Sequence, residues 1–232
     1  MPPWLEWPPH HGSPCAPQPN GTETQPDATA VPSPLAVAAE QDGHPPRRNL
    51  ELKAIDPDPA RSLEVCRGLR ATDAGEVVQR DTYFHVLHGG LKLREETPGG
   101  AHLIQFERSE TAAPTESRYR IIAIVDAAAC CAALSTALGV GAVVVKRRRV
   151  FLSKNLRIHL DDVDGLGTFV ELEAVAAPGV SVEADRASIE ELRAAFGITD
   201  AHLVADGYAR LLTRNPGAAA VQRRSLSARR SG

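Results

Sequence analysis

Between Arg48 and Leu212, apolar and polar residues alternate in short segments separated by turn residues, a period of two that predicts strands. The first strand is predicted over Asn49 to Ile55, with Asn49, Glu51 and Lys53 on one face and Leu50, Leu52 and Ala54 on the other. A helix is predicted over Pro57 to Leu69, because Leu63, Cys66 and Leu69 share one side and Pro59 lies near the start, where a missing N–H does no harm. Val77 to Leu87 and Gly90 to Glu95 read as strands joined through His88, Gly89 and Gly90, and His102 to Glu107 and Arg118 to Val125 as strands around a loop containing Pro114. Asp126 can cap a helix that runs to Leu138 and stops at Gly139. Three further strands are predicted over Val143 to Leu152, Asn155 to Asp162 and Thr168 to Val175. Ser188 and Glu191 have capping-box spacing for a helix ending at Phe196 and Gly197, and Asp200 to Leu212 reads as a last short helical segment. About eight strands in mostly hairpin-like succession predict an α+β fold: a closed antiparallel eight-stranded β-barrel with flanking helices. A parallel sheet would need a crossover at every step.

The charges fall in phase on these strands. Lys92 and Arg94 share a face against Leu91 and Leu93; Lys146 shares one with Arg148; Arg157, His159 and Asp161 share another; and Glu171 and Glu173 face together against Val170 and Leu172. Such faces are ordinary on a sheet with one side in water. The competing geometry is a barrel with a polar interior, whose apolar outer face is covered by helices packed on Leu50, Leu52, Leu91, Leu93, Val170 and Leu172. Taking Lys53, Lys92, Arg94, Arg108, Lys146, Arg148 and Arg157 as inward bases, and Glu51, Asp161, Glu171 and Glu173 as inward acids, seven against four leaves +3. Like charges in a narrow cavity of reduced dielectric repel, so this surplus calls for an anion, and a triphosphate suits it. The acids form a cluster of hard oxygen ligands, which suits Mg²⁺ or Mn²⁺ better than zinc. Arg147 and Arg149 are out of phase and are expected outside.

Composition bounds the domain. Twelve of the 18 prolines lie in the first 46 residues, which carry almost no apolar periodicity, so residues 1–46 are expected to be a disordered lead segment in which Trp4 and Trp7 could form a docking motif. The tunnel-type domain is expected over residues 47–212 and a disordered basic tail, with Arg223, Arg224, Arg229 and Arg230, over 213–232. No stretch has the roughly 18 to 20 apolar residues of a membrane span and no basic-then-apolar leader is present, so a cytoplasmic protein with no membrane partner is expected. The basic block Lys146 to Arg149 sits in a strand pattern and the terminal one in a tail, so neither implies nucleic acid. Cys15, Cys66, Cys130 and Cys131 lack Cys-x-x-Cys spacing and read as small core residues in a reducing compartment. Oligomeric state has no signature here.

Five segments together resemble the CYTH superfamily of triphosphate tunnel metalloenzymes, in its class IV adenylyl cyclase-like branch. They are Asn49-Leu50-Glu51-Leu52-Lys53; Gln79 to Phe84; Leu91-Lys92-Leu93-Arg94-Glu95; Lys146-Arg147-Arg148; and Arg157 through Glu173, with Gly165-Leu166-Gly167 and Glu171-x-Glu173. The resemblance implies that Glu51, Asp161, Glu171 and Glu173 hold a metal, Mg²⁺ or Mn²⁺, and that Lys53, Lys92, Arg94, Arg108, Lys146, Arg148 and Arg157 bind the triphosphate. Asn49 departs from the pattern, standing where many members carry a first glutamate, which bears on a second metal. His159 reads as a polar lining group, and Tyr83, Phe84, Tyr119 and Tyr208 as packing groups. The leading expectation is an adenylyl cyclase converting ATP to cyclic AMP and pyrophosphate. The alternatives are a triphosphatase acting on inorganic triphosphate or a small organic one such as thiamine triphosphate, and a non-catalytic polyphosphate- or nucleotide-binding module. The first two use the same clamp and differ in which phosphorus meets the nucleophile.

Overall fold

A computed structural model describes residues 46–215 and Gly217. The expectations for the Pro-rich lead, including Trp4, Trp7 and Cys15, and for the terminal arginines lie outside the described residues. Eight strands form one closed ring: β1 (Arg47–Ile55), β2 (Thr72–Phe84), β3 (Gly90–Thr97), β4 (Ala101–Arg108), β5 (Thr115–Ile124), β6 (Val140–Ser153), β7 (Leu156–Val163) and β8 (Gly167–Val175). The order round the ring is β1-β5-β4-β3-β2-β6-β7-β8, and every neighbouring pair is antiparallel. This is the predicted α+β barrel.

Five connections are hairpins between ring neighbours. The other two join strands that point the same way, so the chain must travel back along the barrel, and each carries a helix: α1 (Pro59–Gly68) between β1 and β2, and α2 (Ala127–Leu138) between β5 and β6. Asp58 caps α1, its carboxylate accepting from the Arg61 N–H at 3.1 Å, with Pro59 in the first turn. Asp126 caps α2 through the Ala129 N–H at 2.9 Å, and Gly139, at φ 75°, provides the left-handed exit. Two strands outrun their alternation: β2 begins at Thr72 and β6 at Val140, because the β2–β6 ladder pairs residues such as Thr72 with Leu152 beyond the apolar pattern.

The C-terminal part corrects two expectations. Helix α3 spans Arg186–Ala195, so Ser188 lies inside it and forms no capping box; Ser181 caps the preceding 3₁₀ turn Val182–Asp185, accepting from the Glu183 N–H at 3.3 Å. The stretch from Asp200 is a 3₁₀ turn, Asp200–His202, and a separate helix α4, Tyr208–Arg214. Between them Leu203 bridges Ala54 and the Val204 N–H donates to the Lys53 carbonyl at 3.0 Å, an extended pairing with β1 that a helix could not make.

The main apolar core lies outside the barrel. Leu50, Leu52 and Ala54 of β1, Ile158 of β7, and Val170, Leu172 and Ala174 of β8 are buried against Cys66 of α1, Ile189 and Leu192 of α3, and Phe196 and Ile198 beyond it. Each buried Leu, Ile, Val or Phe among them contributes about 1.5–3 kcal/mol. On β3, Leu93 is buried but Leu91 is only half-buried, and neither joins this cluster. The reason is α2, which lies near β2 and β3 yet, with its short side chains, has no buried residue. Cys130 and Cys131 on it are therefore half-buried rather than core; Cys66 is core, and all three are free thiols. No helix among the described residues is long and apolar enough to cross a membrane.

Candidate functional site

With the apolar faces turned outward, the alternate residues of all eight strands face inward around a cavity of about 370 Å³. The register sets them in rows. Glu51 lies opposite Glu173, which lies opposite Arg157; Lys53 lies opposite Glu171, which lies opposite His159; Arg148 lies opposite Asp161; and Lys146 lies opposite Gln79. Lys92 and Arg94 enter from β3 and Arg108 from β4. All seven bases line the cavity, as do Glu51, Glu171 and Glu173. Asp161, 2 % exposed, is buried just behind Arg148 and Lys146. The strand phase is thus as read: Arg147 and Arg149 point outside, to Asp162 and Asp73.

Two buried carboxylates hold the bases in place. Asp161 accepts from Arg148 through both oxygens, at 2.6 and 2.5 Å, from Lys146 at 3.3 Å and from the Tyr208 hydroxyl at 2.9 Å. Asp81 accepts from Arg94 through both oxygens at 2.6 Å and from Lys92 at 3.0 Å. Bidentate pairing fixes each guanidinium plane as well as its position. Burial pushes both carboxyls up, but the adjoining Arg148 and Lys146 in one case, and Arg94 and Lys92 in the other, more than reverse this and hold them well below the usual carboxylate range. Arg108 pairs with Glu51 at 2.5 Å, and Lys53 and Arg148 take one oxygen each of Glu171. Among the described residues, Arg157 is the inward base with no ion pair.

Burial lowers the lysines: Lys53, also facing Arg108, and Lys146, also facing Arg148, fall well below the ordinary ammonium range, and Lys92, beside Arg94, falls to about 8. Sequence reasoning gave Asp81 no role, although its phase with Gln79 and Tyr83 pointed it inward; it also passed over Glu96, which accepts from Gln79 at 2.5 Å. With these two added, seven bases face six acids, and the surplus is +1 rather than +3. Tyr208 has no local signal at all. It arrives on α4, which packs Tyr208 and Leu212 onto the inward residues Val144, Val163 and Phe169 at the end of the barrel where β7 finishes and β8 begins. The Lys53 ammonium lies 3.7 Å from the Tyr208 ring centroid.

The acids named for a metal are divided by the fold. Asp161 is buried against Arg148, Lys146 and Tyr208, and Glu51 pairs with Arg108; Glu171, although paired with Lys53 and Arg148, and Glu173, which pairs with no lysine or arginine among the described residues, group with His159, one ligand atom of each lying within 4.8 Å of the others. Two carboxylates and an imidazole are a donor set that fits a divalent cation. Burial, reinforced by Arg148, holds the His159 imidazole well below its ordinary range. Asn49, 3 % exposed, gives its amide N–H to Glu51 at 3.4 Å, while its Oδ1 has no donor.

Residues 47–208 match the family model of the CYTH domain. Among solved structures, the chain is similar to the PH1012 protein of Pyrococcus horikoshii OT3 (20 % identity, TM-score 0.64, covering 70 % of this chain and 98 % of that one). It is similar too to a candidate adenylate cyclase of Vibrio parahaemolyticus (18 %, TM-score 0.58, 71 % and 97 %). A third is a candidate adenylyl cyclase of Hippeastrum described as having a dominant triphosphatase activity (13 %, TM-score 0.53, 73 % and 96 %). At these identities the likeness is one of fold. No curated protein matches the chain.

Proposed function

The chain belongs to the CYTH domain family, whose members act on triphosphates, and from that premise we propose that it is a metal-dependent adenylyl cyclase, taking ATP to cyclic AMP and pyrophosphate. The observation that carries the triphosphate part is the convergence of seven Lys and Arg side chains on one cavity, six of them held by buried or half-buried carboxylates. A cleft of about 370 Å³ falls in the range of roughly 300–1,000 Å³ typical of small-molecule sites. Part of its wall is apolar, with Val77, Ile104, Ile121 and Val150 near Tyr119 and Phe106. Inorganic triphosphate has no use for such a wall, so the lining favours an organic triphosphate.

In this reading Arg94 and Arg148, each locked by a bidentate carboxylate, and Lys53, Lys92, Arg108, Lys146 and Arg157 orient the phosphates and take up the negative charge that moves onto pyrophosphate as it leaves. The ribose 3′-oxygen forms its bond to the α-phosphorus as the bond to the bridging oxygen breaks, and the hydroxyl proton passes to solvent. Glu171 and Glu173 with His159, beside Glu51, would hold a divalent cation, which when bound neutralises phosphate charge. The lysines with lowered affinity for a proton regain full charge against the anion.

Hydrolysis is the second reading, favoured by the Hippeastrum neighbour described as having a dominant triphosphatase activity: the same bases would position water against the terminal phosphorus. Purified protein incubated with Mg²⁺ or Mn²⁺ and either ATP or tripolyphosphate tests both. Cyclic AMP with pyrophosphate supports the cyclase, orthophosphate supports the triphosphatase, and tight binding without turnover would leave a non-catalytic binding module.

A further inference from the structure

His159 is used only loosely by the cradle described above. It is 6 % exposed, it lies opposite Glu171 in the β7–β8 register, and its Nδ1 is buried with no hydrogen-bond partner among the described residues. That nitrogen is 3.6 Å from Glu171 Oε2 and 3.6 Å from Glu173 Oε1, too far to donate a hydrogen bond to either. Among the described residues Glu173 pairs with no lysine or arginine, although its side chain is only 16 % exposed. A carboxylate and an imidazole nitrogen therefore face each other at 3.6 Å on the wall of the cavity, a spacing too long for a direct hydrogen bond and short enough for one cation to bridge. Two ligands at right angles on a cation with bonds near 2.1 Å stand about 3 Å apart, and opposed ligands about 4.2 Å. The observed spacing falls between these limits.

We propose that His159 is a direct nitrogen ligand of a cation held with Glu171 and Glu173, and that this nitrogen makes the site prefer Mn²⁺ to Mg²⁺. The inference rests on the metal part of the reading above. Mg²⁺ is small and hard, demands near-ideal octahedral oxygen geometry and gives up its waters reluctantly, whereas Mn²⁺, though it too favours oxygen and stands lowest of the first-row ions in affinity, is a transition ion that tolerates a nitrogen ligand better than Mg²⁺ does. Exchanging one oxygen ligand for nitrogen thus penalises Mg²⁺ more than Mn²⁺. The neighbouring cations Lys53 and Arg148 contact Glu171 and leave Glu173 and His159 as the open side of the site.

Binding of Mn²⁺ to the full-length protein can be read without any turnover, from loss of the free-ion electron paramagnetic resonance signal, with Mg²⁺ as competitor. Pulsed spectra of the bound ion then report directly coordinated nitrogen. The expected result is one nitrogen coupling that changes on ¹⁵N-histidine labelling, and Mn²⁺ bound at least about 10-fold more tightly than Mg²⁺, a difference of about 1.4 kcal/mol. In His159→Gln the coupling disappears and the preference falls by about the same factor. Bound Mn²⁺ without nitrogen coupling in the unaltered protein overturns the assignment, even if the variant fails to fold, and so does an unchanged preference in a folded variant. Calorimetry with tripolyphosphate alone separates the two levels. Binding of tripolyphosphate without Mn²⁺ binding would sink the His159 site and spare the triphosphate cradle, and nitrogen-coupled Mn²⁺ without tripolyphosphate binding would do the reverse.

Discussion

Arg157 and Arg148 carry the same charge into the same cavity under opposite conditions. Arg148 is locked to Asp161 and Glu171, whereas Arg157 pairs with no carboxylate among the described residues. Replacing Arg157 with Gln removes a charge that only a ligand would use. Triphosphate affinity is expected to fall by about 10- to 100-fold, the value of a charge-assisted contact, with the urea midpoint essentially unchanged. Arg148→Gln should weaken binding too, but it takes the bidentate partner from Asp161, leaving it only Lys146 and Tyr208, and is expected to cost about 3 kcal/mol of stability in the same titration. Lys92 sets a pH dependence. Its folded pKa of about 8 lies below the ordinary lysine value, so the folded protein holds that proton more weakly than the unfolded chain; the stability penalty is present below pH 8 and is relieved as pH rises toward the unfolded value. Triphosphate binding runs the other way, since it needs the charge. Affinity for ATP measured by calorimetry should decline from pH 7 to 9, a range in which the nucleotide's terminal phosphate is already largely ionised, with proton uptake on binding near pH 8, and Lys92→Met should flatten both. The inward bases were legible because period two fixes the face of every strand residue. Asp81 was missed because its partners Arg94 and Lys92 belong to another strand, and only the register shows that they meet.

At the level of elements, β6 is the clearest case of phase. Lys146 and Arg148 are nearly fully buried inside, while Arg147, between them, pairs with Asp162 on the exterior, so the chain KRR places two charges in and one out. Helix α4 is the converse, an element whose role no local pattern announces. Its Tyr208 stacks edge-on against Phe169 at 5.0 Å and donates its hydroxyl to Asp161 across 47 residues of sequence. Tyr208→Phe keeps the ring and loses one bond to a charged acceptor, with an expected cost of about 1.5–3 kcal/mol. Tyr208→Ala removes the packing as well and should cost about 3–5 kcal/mol, and the two losses should be ordered this way in chemical denaturation. Ser188 and Glu191 had the spacing of a cap, but the chain before them is already turning in a 3₁₀ segment capped by Ser181, so the helix was nucleated upstream. Asp200 to Leu212 failed as one helix for a similar non-local reason: the extended pairing of Leu203 and Val204 with β1 outbids local propensity.

Across the whole molecule, polarity is inverted: the apolar packing that stabilises the fold lies between barrel and helices, and the charges lie within. The interior surplus of +1 rises to +3 with a divalent cation, still short of the roughly four negative charges of a triphosphate at neutral pH. Ligand binding should therefore stabilise the fold strongly. Tripolyphosphate at 100 times its Kd is expected to add about 2.7 kcal/mol, seen as a rise in melting temperature that grows with concentration and shrinks with added salt. Sulfate at equal ionic strength serves as the control, and an equal rise with it would mean that the cavity does not distinguish a chain of phosphates from any anion.

The ring of strands also has no first or last member. Each strand has a paired neighbour on both sides, so among the described residues no strand is an edge along its full length; only stretches that outrun a neighbour, such as residues 120–124 of β5, are paired on one side alone. Strand addition to this barrel is therefore confined to short one-sided stretches, too brief to offer the long flat edge on which sheets polymerise.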